Sequence, residues 1–163
     1  MTEKNIGAEN LMSEFDKDKI FMQQALLLAE RAKNEGEVPV GAVVVRNGEI
    51  IGRGYNLRET NGMATAHAEI LAIEEACRRL GSWRLLDCTL YVTLEPCPMC
   101  AGAIVNSRIA RVVYGVKDSA AGCCGSVADF NRYPFSHSFS LTSGVCEEEC
   151  ALLLKEFFKS KRA

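Results

Sequence analysis

Asn47-Gly48 stands between two apolar runs, VPVGAVVV (38–45) and EIIGRGYN (49–56), and this pair constrains the fold more than any other short stretch. Both residues tolerate positive φ, so Asn-Gly closes a two-residue turn whose twist suits paired strands. The flanking runs therefore predict an antiparallel hairpin, and the rest of the chain must pack on the sheet it opens. Upstream, FMQQALLLAERAKNEG (21–36) has helical spacing and stops at Gly36, behind a loose tail over residues 1–14. Downstream, TAHAEILAIEEACRRLG (65–81) reads as a helix with Thr65 as cap, Arg78 and Arg79 in the last turn and Gly81 as the stop. CTLYVTL (88–94) is a strand, broken at Pro96, and Pro98 suits the first turn of a further helix. RIARVVYGV (108–116) predicts a strand, KDSAAGCCGS (117–126) a loop, SLTSGVC (140–146) a short strand and EEECALLLKEFFKSKR (147–162) an amphipathic terminal helix. Strands alternating with helices predict an α/β fold with helices on both sheet faces and some parallel pairing. At 163 residues, 48% of them hydrophobic, the chain suits a single domain, 15–163, without repeats or linkers.

A net charge of −2 gives no global basic signature, so contact with nucleic acid would require a local cluster of Lys and Arg. The charged N-terminus has no apolar core of the kind a secretion signal needs, and no run is long enough for a membrane span. The expected location is the cytoplasm, where eight cysteines are thiols or metal ligands rather than disulfides.

Cys97 and Cys100, in EPCPMC, are ambiguous by themselves: a redox couple, half of a structural zinc site, or part of a catalytic one. The chain has two histidines, and His67 lies at the start of the helix after the hairpin. Side chains at the start of a helix tilt toward its N-terminus, so His67 from one helix and Cys97 and Cys100 from another can converge on one ion. The positive helix ends favour thiolate. Zinc takes such a nitrogen and sulfur set, and three protein ligands leave a fourth position for water, which the ion acidifies to a pKa of about 7. Glu69, two residues from His67 and not needed as a ligand, is the general acid/base candidate. A structural zinc would want a fourth side chain, for which Cys77 and Cys88 are the candidates, although both also fit buried thiols.

H-x-E followed by P-C-x-x-C is the signature of the zinc deaminases. More broadly, EGEVPVGAVVV, GRGYN, TAHAEI, TLYVTLEPCPMCAGAI, SRIARVVYG, AGCCGS and EEECALLLKEFF resemble the bacterial tRNA-specific adenosine deaminases, which convert the wobble adenosine of an anticodon to inosine. The resemblance implies a cytidine-deaminase-like three-layer fold, with a mixed five-stranded sheet between helices, assembled as a homodimer. It implies one Zn2+ per chain on His67, Cys97 and Cys100, proton transfer by Glu69, and a tRNA anticodon stem-loop as substrate. Asn56 matches an asparagine that hydrogen-bonds the target base, and Lys117 and Asp118 match a region that embraces the anticodon loop. Ala68 and Pro39 are further expected substrate contacts, although Val38-Pro39 also fits a plain strand start, and of Phe157 and Phe158 at least one is core by spacing, which leaves Phe158 as the stacking platform. The zinc motif alone would also fit deaminases of free bases such as guanine or cytosine. A non-catalytic, zinc-stabilised RNA-binding module is the reading from another class.

Several features admit two readings. Cys123-Cys124 with Cys146 and Cys150 form either a second metal site or small loop residues and buried thiols; His137 is a substrate contact or a packed residue. Lys155, Lys159, Lys161 and Arg162 form a phosphate patch or a solvated helix end. Met63-Ala64, Cys123-Cys124 and Ser136 depart from the family's usual residues in loops that would shape a substrate groove.

Overall fold

The computed structural model describes residues 12–162. Its elements run α1 (Glu14–Asn34), β1 (Gly41–Arg46), β2 (Glu49–Tyr55), α2 (Arg58–Asn61), α3 (Ala68–Leu80), β3 (Cys88–Leu94), α4 (Pro98–Ser107), β4 (Arg111–Val116), a 3-10 turn (Phe130–Arg132), β5 (Ser140–Ser143) and α5 (Glu147–Lys161). The five strands form one mixed sheet in the order β2-β1-β3-β4-β5. β1 pairs antiparallel with β2 and β3, whereas β3 with β4 and β4 with β5 are parallel. The α/β architecture with a five-stranded mixed sheet is thus as expected.

Alternation along the strands produces the layers. Val43, Val45, Tyr91 and Val113 point to one face, where they meet Met22 and Ala25 of α1 and Cys150 of α5. Val44, Leu90, Val92 and Val112 point to the other, with Ala72 and Ala76 of α3 and Ile104 of α4. Both faces are covered, which is why the central strands read as nearly unbroken apolar runs.

α3 lies unusually close to the hairpin. Ala68, Ala72 and Ala76 recur every four residues and so share one side of the helix. Their backbone and methyl groups occupy the space where Gly52 and Gly54 of β2 would carry a Cβ. Small residues on both partners let the helix backbone rest on the strand, which sets the height of the α3 N-terminus.

Opposite, a buried ionic network ties α1 to the sheet. Asp18 accepts from Arg111 at 2.7 and 2.6 Å and from the Tyr91 hydroxyl at 2.8 Å, while Arg111 also donates to Thr142 at 2.9 Å. One carboxylate therefore joins α1, β3, β4 and, through Arg111, β5.

Several expected boundaries move. The first helix starts at Glu14 rather than Phe21, because the Ser13 hydroxyl caps it by accepting from the Asp16 amide at 3.1 Å. Residues 1–11 of the expected tail lie outside the described residues. Thr65 is not the cap of α3; that position is taken by His67, which makes no side-chain cap bond. The strand expected from Arg108 begins at Arg111, since Arg108 closes α4 in the left-handed region with φ 63°. β5 ends at Ser143, before the turn at Gly144. The short α2 had no counterpart in the sequence reading. Among the described residues, no helix is long and apolar enough to cross a membrane.

Candidate metal centre and adjoining cavity

His67 and Cys97 occupy equivalent positions, each the N-cap of its helix and neither bonding the helix amides with its side chain. Their side chains are thereby released toward each other, and Cys100 joins them from the first turn of α4. His67 Nδ1 lies 3.6 Å from Cys97 Sγ and 3.6 Å from Cys100 Sγ. A tetrahedral zinc with bonds of about 2.0–2.3 Å spaces its ligands about 3.3–3.8 Å apart, so the donor set fits that ion. These three form the sole such cluster of potential ligands among the described residues. Cys77 and Cys88 are not part of it: their thiols face the backbone carbonyls of Trp83 and Leu86. Nor do Cys123, Cys124, Cys146 and Cys150 form a second cluster.

Electrostatics separate the two sulfurs. The Cys97 thiol is pulled down to about 4, mainly by a hydrogen bond from Cys100 and then by His67. Cys100 moves upward because it holds the proton it shares with Cys97, and burial adds to the effect. His67 is raised, first by its contact with Cys97. Glu69, buried beside the cluster at 4% exposure, is raised chiefly by desolvation, so its carboxyl holds a proton more readily than an exposed glutamate.

A cavity of about 180 Å³ opens over this centre, with Val38, Val40 and Leu94 as apolar wall and Glu69, Asn56 and Asp118 as polar groups. Asn56 is fixed in it, accepting from the Arg58 amide at 3.2 Å and donating toward the Val38 carbonyl at 3.4 Å. Of the other expected contacts, Ala68 lines the cavity. Pro39 does not; it is buried, and its neighbours Val38 and Val40 form the wall. Lys117 is exposed and outside the lining, next to Asp118, which is inside it. Phe158 is exposed on α5, a helix on the other sheet face, with its ring edge-on to Phe157. His137 is a packed residue whose Nε2 donates to the Ile109 carbonyl at 2.6 Å.

Three site residues escaped the sequence reading. Arg58, at the cavity lining, sits in the unexpected α2. Glu37 is buried and caps α2, accepting from the Glu59 amide at 3.1 Å and from the Thr60 amide and hydroxyl, each at 2.7 Å. Glu95 is buried between β3 and the ligand Cys97. An acid next to Pro-Cys was the only local sign of Glu95, since its partners lie 23 to 31 residues on.

The zinc-binding region of cytidine and deoxycytidylate deaminases matches residues 15–116. The chain is 52% identical over 146 residues to a tRNA-specific adenosine deaminase of Bacillus subtilis (strain 168), covering 89% of this chain and 91% of that protein. It is 47% identical to the tRNA-specific adenosine deaminase of Haemophilus influenzae, covering 96% of this chain and 91% of that one. A solved structure from studies of A-to-I editing by tRNA:A34 deaminases at the wobble position superposes with a TM-score of 0.81 at 44% identity, covering 83% of this chain and 99% of its own.

Proposed function

The chain belongs to the zinc-dependent cytidine and deoxycytidylate deaminase family, and we propose that it hydrolyses the wobble adenosine of a tRNA anticodon loop to inosine, releasing ammonia. One observation carries the reading: a buried carboxylate, Glu69, stands beside a three-ligand His67–Cys97–Cys100 cluster at the floor of a cavity. One zinc ion per chain, held by that cluster, supplies the Lewis acidity that makes water nucleophilic at neutral pH.

The chain's own residues do the rest. Glu69 takes a proton from the attacking water and delivers it to the adenine ring, then takes the remaining proton from the hydroxyl added at C6 and passes it to the departing amine. The net change replaces the amino group on C6 by oxygen and forms ammonia. Asn56, held by Arg58 and Val38, presents a fixed amide to the base edge, while Val38, Val40 and Leu94 exclude water from its faces. A stacked base is out of reach of such a recess, and splaying it out costs least in a loop.

Two copies associating as a homodimer is part of the proposal. The outer side of α3 and α4 supports it: Ile70, Met99, Ala103, Phe130 and Phe135 line an open, largely apolar groove there. The proposed place of action is the cytoplasm, where tRNA is processed.

The test is incubation with an anticodon stem-loop carrying adenosine at the wobble position, beside free adenosine, guanine and cytosine. Inosine in the stem-loop, read by mass analysis, is expected. Ammonia from a free base alone would overturn the substrate assignment.

A further inference from the structure

Glu95 makes no hydrogen bond to His67, Cys97 or Cys100, yet among the described residues its carboxylate accepts the most hydrogen bonds of any side chain. Oε1 accepts from the Asp118 amide at 3.1 Å and from the Ser126 hydroxyl; Oε2 accepts from the amides of Cys124 and Ser126 at 3.0 and 3.1 Å. Each donor lies in the strap 117–126, which leaves β4 and returns over the cavity. Gly125, at φ 133°, lets the strap bend so that the amides on both sides of it reach one oxygen. Beside this clamp, the Cys123 amide donates to the Pro96 carbonyl at 2.8 Å. The same strap places Asp118 and Ala121 in the cavity lining, as does Glu95 itself.

We infer that Glu95 is a positioning residue for the target base: it clamps the strap against the strand-to-helix junction that carries Cys97, and so sets the part of the cavity wall formed by Asp118 and Ala121. The inference rests on the deaminase reading above. The clamp needs acceptors on both sides, because all four partners donate. An amide in place of the carboxylate would turn an N–H2 group toward at least one of them and leave a buried donor unpaired.

Glycine 122 offers an independent way to disturb the clamp. A Cβ there would overlap the Glu95 carboxylate and the Asp118 carbonyl. Gly122→Ala therefore pushes the strap off Glu95 without altering residue 95 or any neighbour of Cys97.

Glu95→Gln and Gly122→Ala are to be compared with the wild type and with Asp18→Asn, a change in a buried carboxylate remote from the cavity. Zinc content, KM and kcat on the wobble-adenosine stem-loop, and amide hydrogen exchange are measured on each. Displacement of a substrate wall predicts a rise in KM of about tenfold or more, with a smaller change in kcat and zinc near one per chain. Exchange at Asp118, Cys124 and Ser126 should accelerate in both strap variants. Asp18→Asn should lower Tm and leave KM unchanged. If Glu95→Gln does not fold, Gly122→Ala alone decides the matter. An unaltered KM in an active, zinc-loaded variant overturns the inference, and so does a KM rise of the same size in Asp18→Asn. A wild type inactive on the stem-loop overturns the underlying reading instead.

Discussion

Gly54 of β2 lies directly beneath the carbonyl oxygen of Ala68, with no space between them for a single methyl group. Ala68 is flanked by His67 and Glu69, so this contact fixes the height of the proposed metal ligand and of the proposed proton carrier together. Gly54→Ala must lift the start of α3 or bend β2. Overpacking of this kind costs about 1–3 kcal/mol, and the expected result is a lower denaturation midpoint together with weakened zinc retention under dialysis against a chelator. Unchanged zinc affinity would show that the end of α3 is held by something else.

Glu69 and His67 separate chemistry from metal binding. Glu69→Gln should keep about one zinc per chain but lose activity by about 10²-fold or more, as expected when a general acid/base is removed. His67→Ala should lose zinc and activity together. Metal analysis and ammonia release on the same samples check both; turnover by Glu69→Gln at the wild-type rate would remove the residue from its role.

Arg111 holds the Asp18 carboxylate, which is only 2% exposed, with two hydrogen bonds. Arg111→Ala leaves that carboxylate buried and short of its cation. Breaking one side of a buried pair costs about 3–5 kcal/mol. Urea unfolding should register the loss, whereas KM on the stem-loop should stay close to wild type because the pair lies away from the cavity.

Glu37 gives the fold an acid-sensitive point. Burial alone would raise its pKa, but three hydrogen bonds from Glu59 and Thr60 outweigh that and hold the carboxyl below its ordinary value. With the folded pKa below the unfolded one, near 4.3, the unfolded chain binds more protons between the two. The stabilisation is complete above about pH 4.3 and is lost as pH falls through the folded value. Thermal unfolding from pH 6 to pH 3 should show this decline, and Glu37→Gln should flatten it.

The sequence made some of this plain and concealed the rest for physical reasons. The hairpin was legible because Asn47-Gly48 has few other uses, and the start of α4 because Pro98 stands at its first helical position. His67, Cys97 and Cys100 were legible because zinc restricts both the residue types and the spacing. The first two turns of α1 were not, since EFDKDK is mostly polar and only the Ser13 cap marks the start. α2 is four residues long, and its stabilising acceptor, Glu37, lies over twenty residues away in sequence. Glu95 was hidden for the same reason: its partners are brought to it by the parallel pairing of β3 with β4, which no local pattern encodes. Val38-Pro39 fitted either a cavity wall or a strand start, and amphipathic spacing assigned one of Phe157 and Phe158 to the core; which residue of each pair faces inward is decided by packing, which buries Phe157 and leaves Phe158 exposed.

The two sides of the recess differ in how readily they can be remodelled. Where α3 rests on β2, main chain meets main chain through glycine and alanine, leaving no rotamers to readjust. The strap is held by the Glu95 carboxylate and the Pro96 carbonyl, and between those anchors Ala120 is exposed. A change of recess shape is therefore easier to accommodate at an exposed strap position such as Ala120 than at the helix-on-hairpin contact, where any added atom has to move main chain.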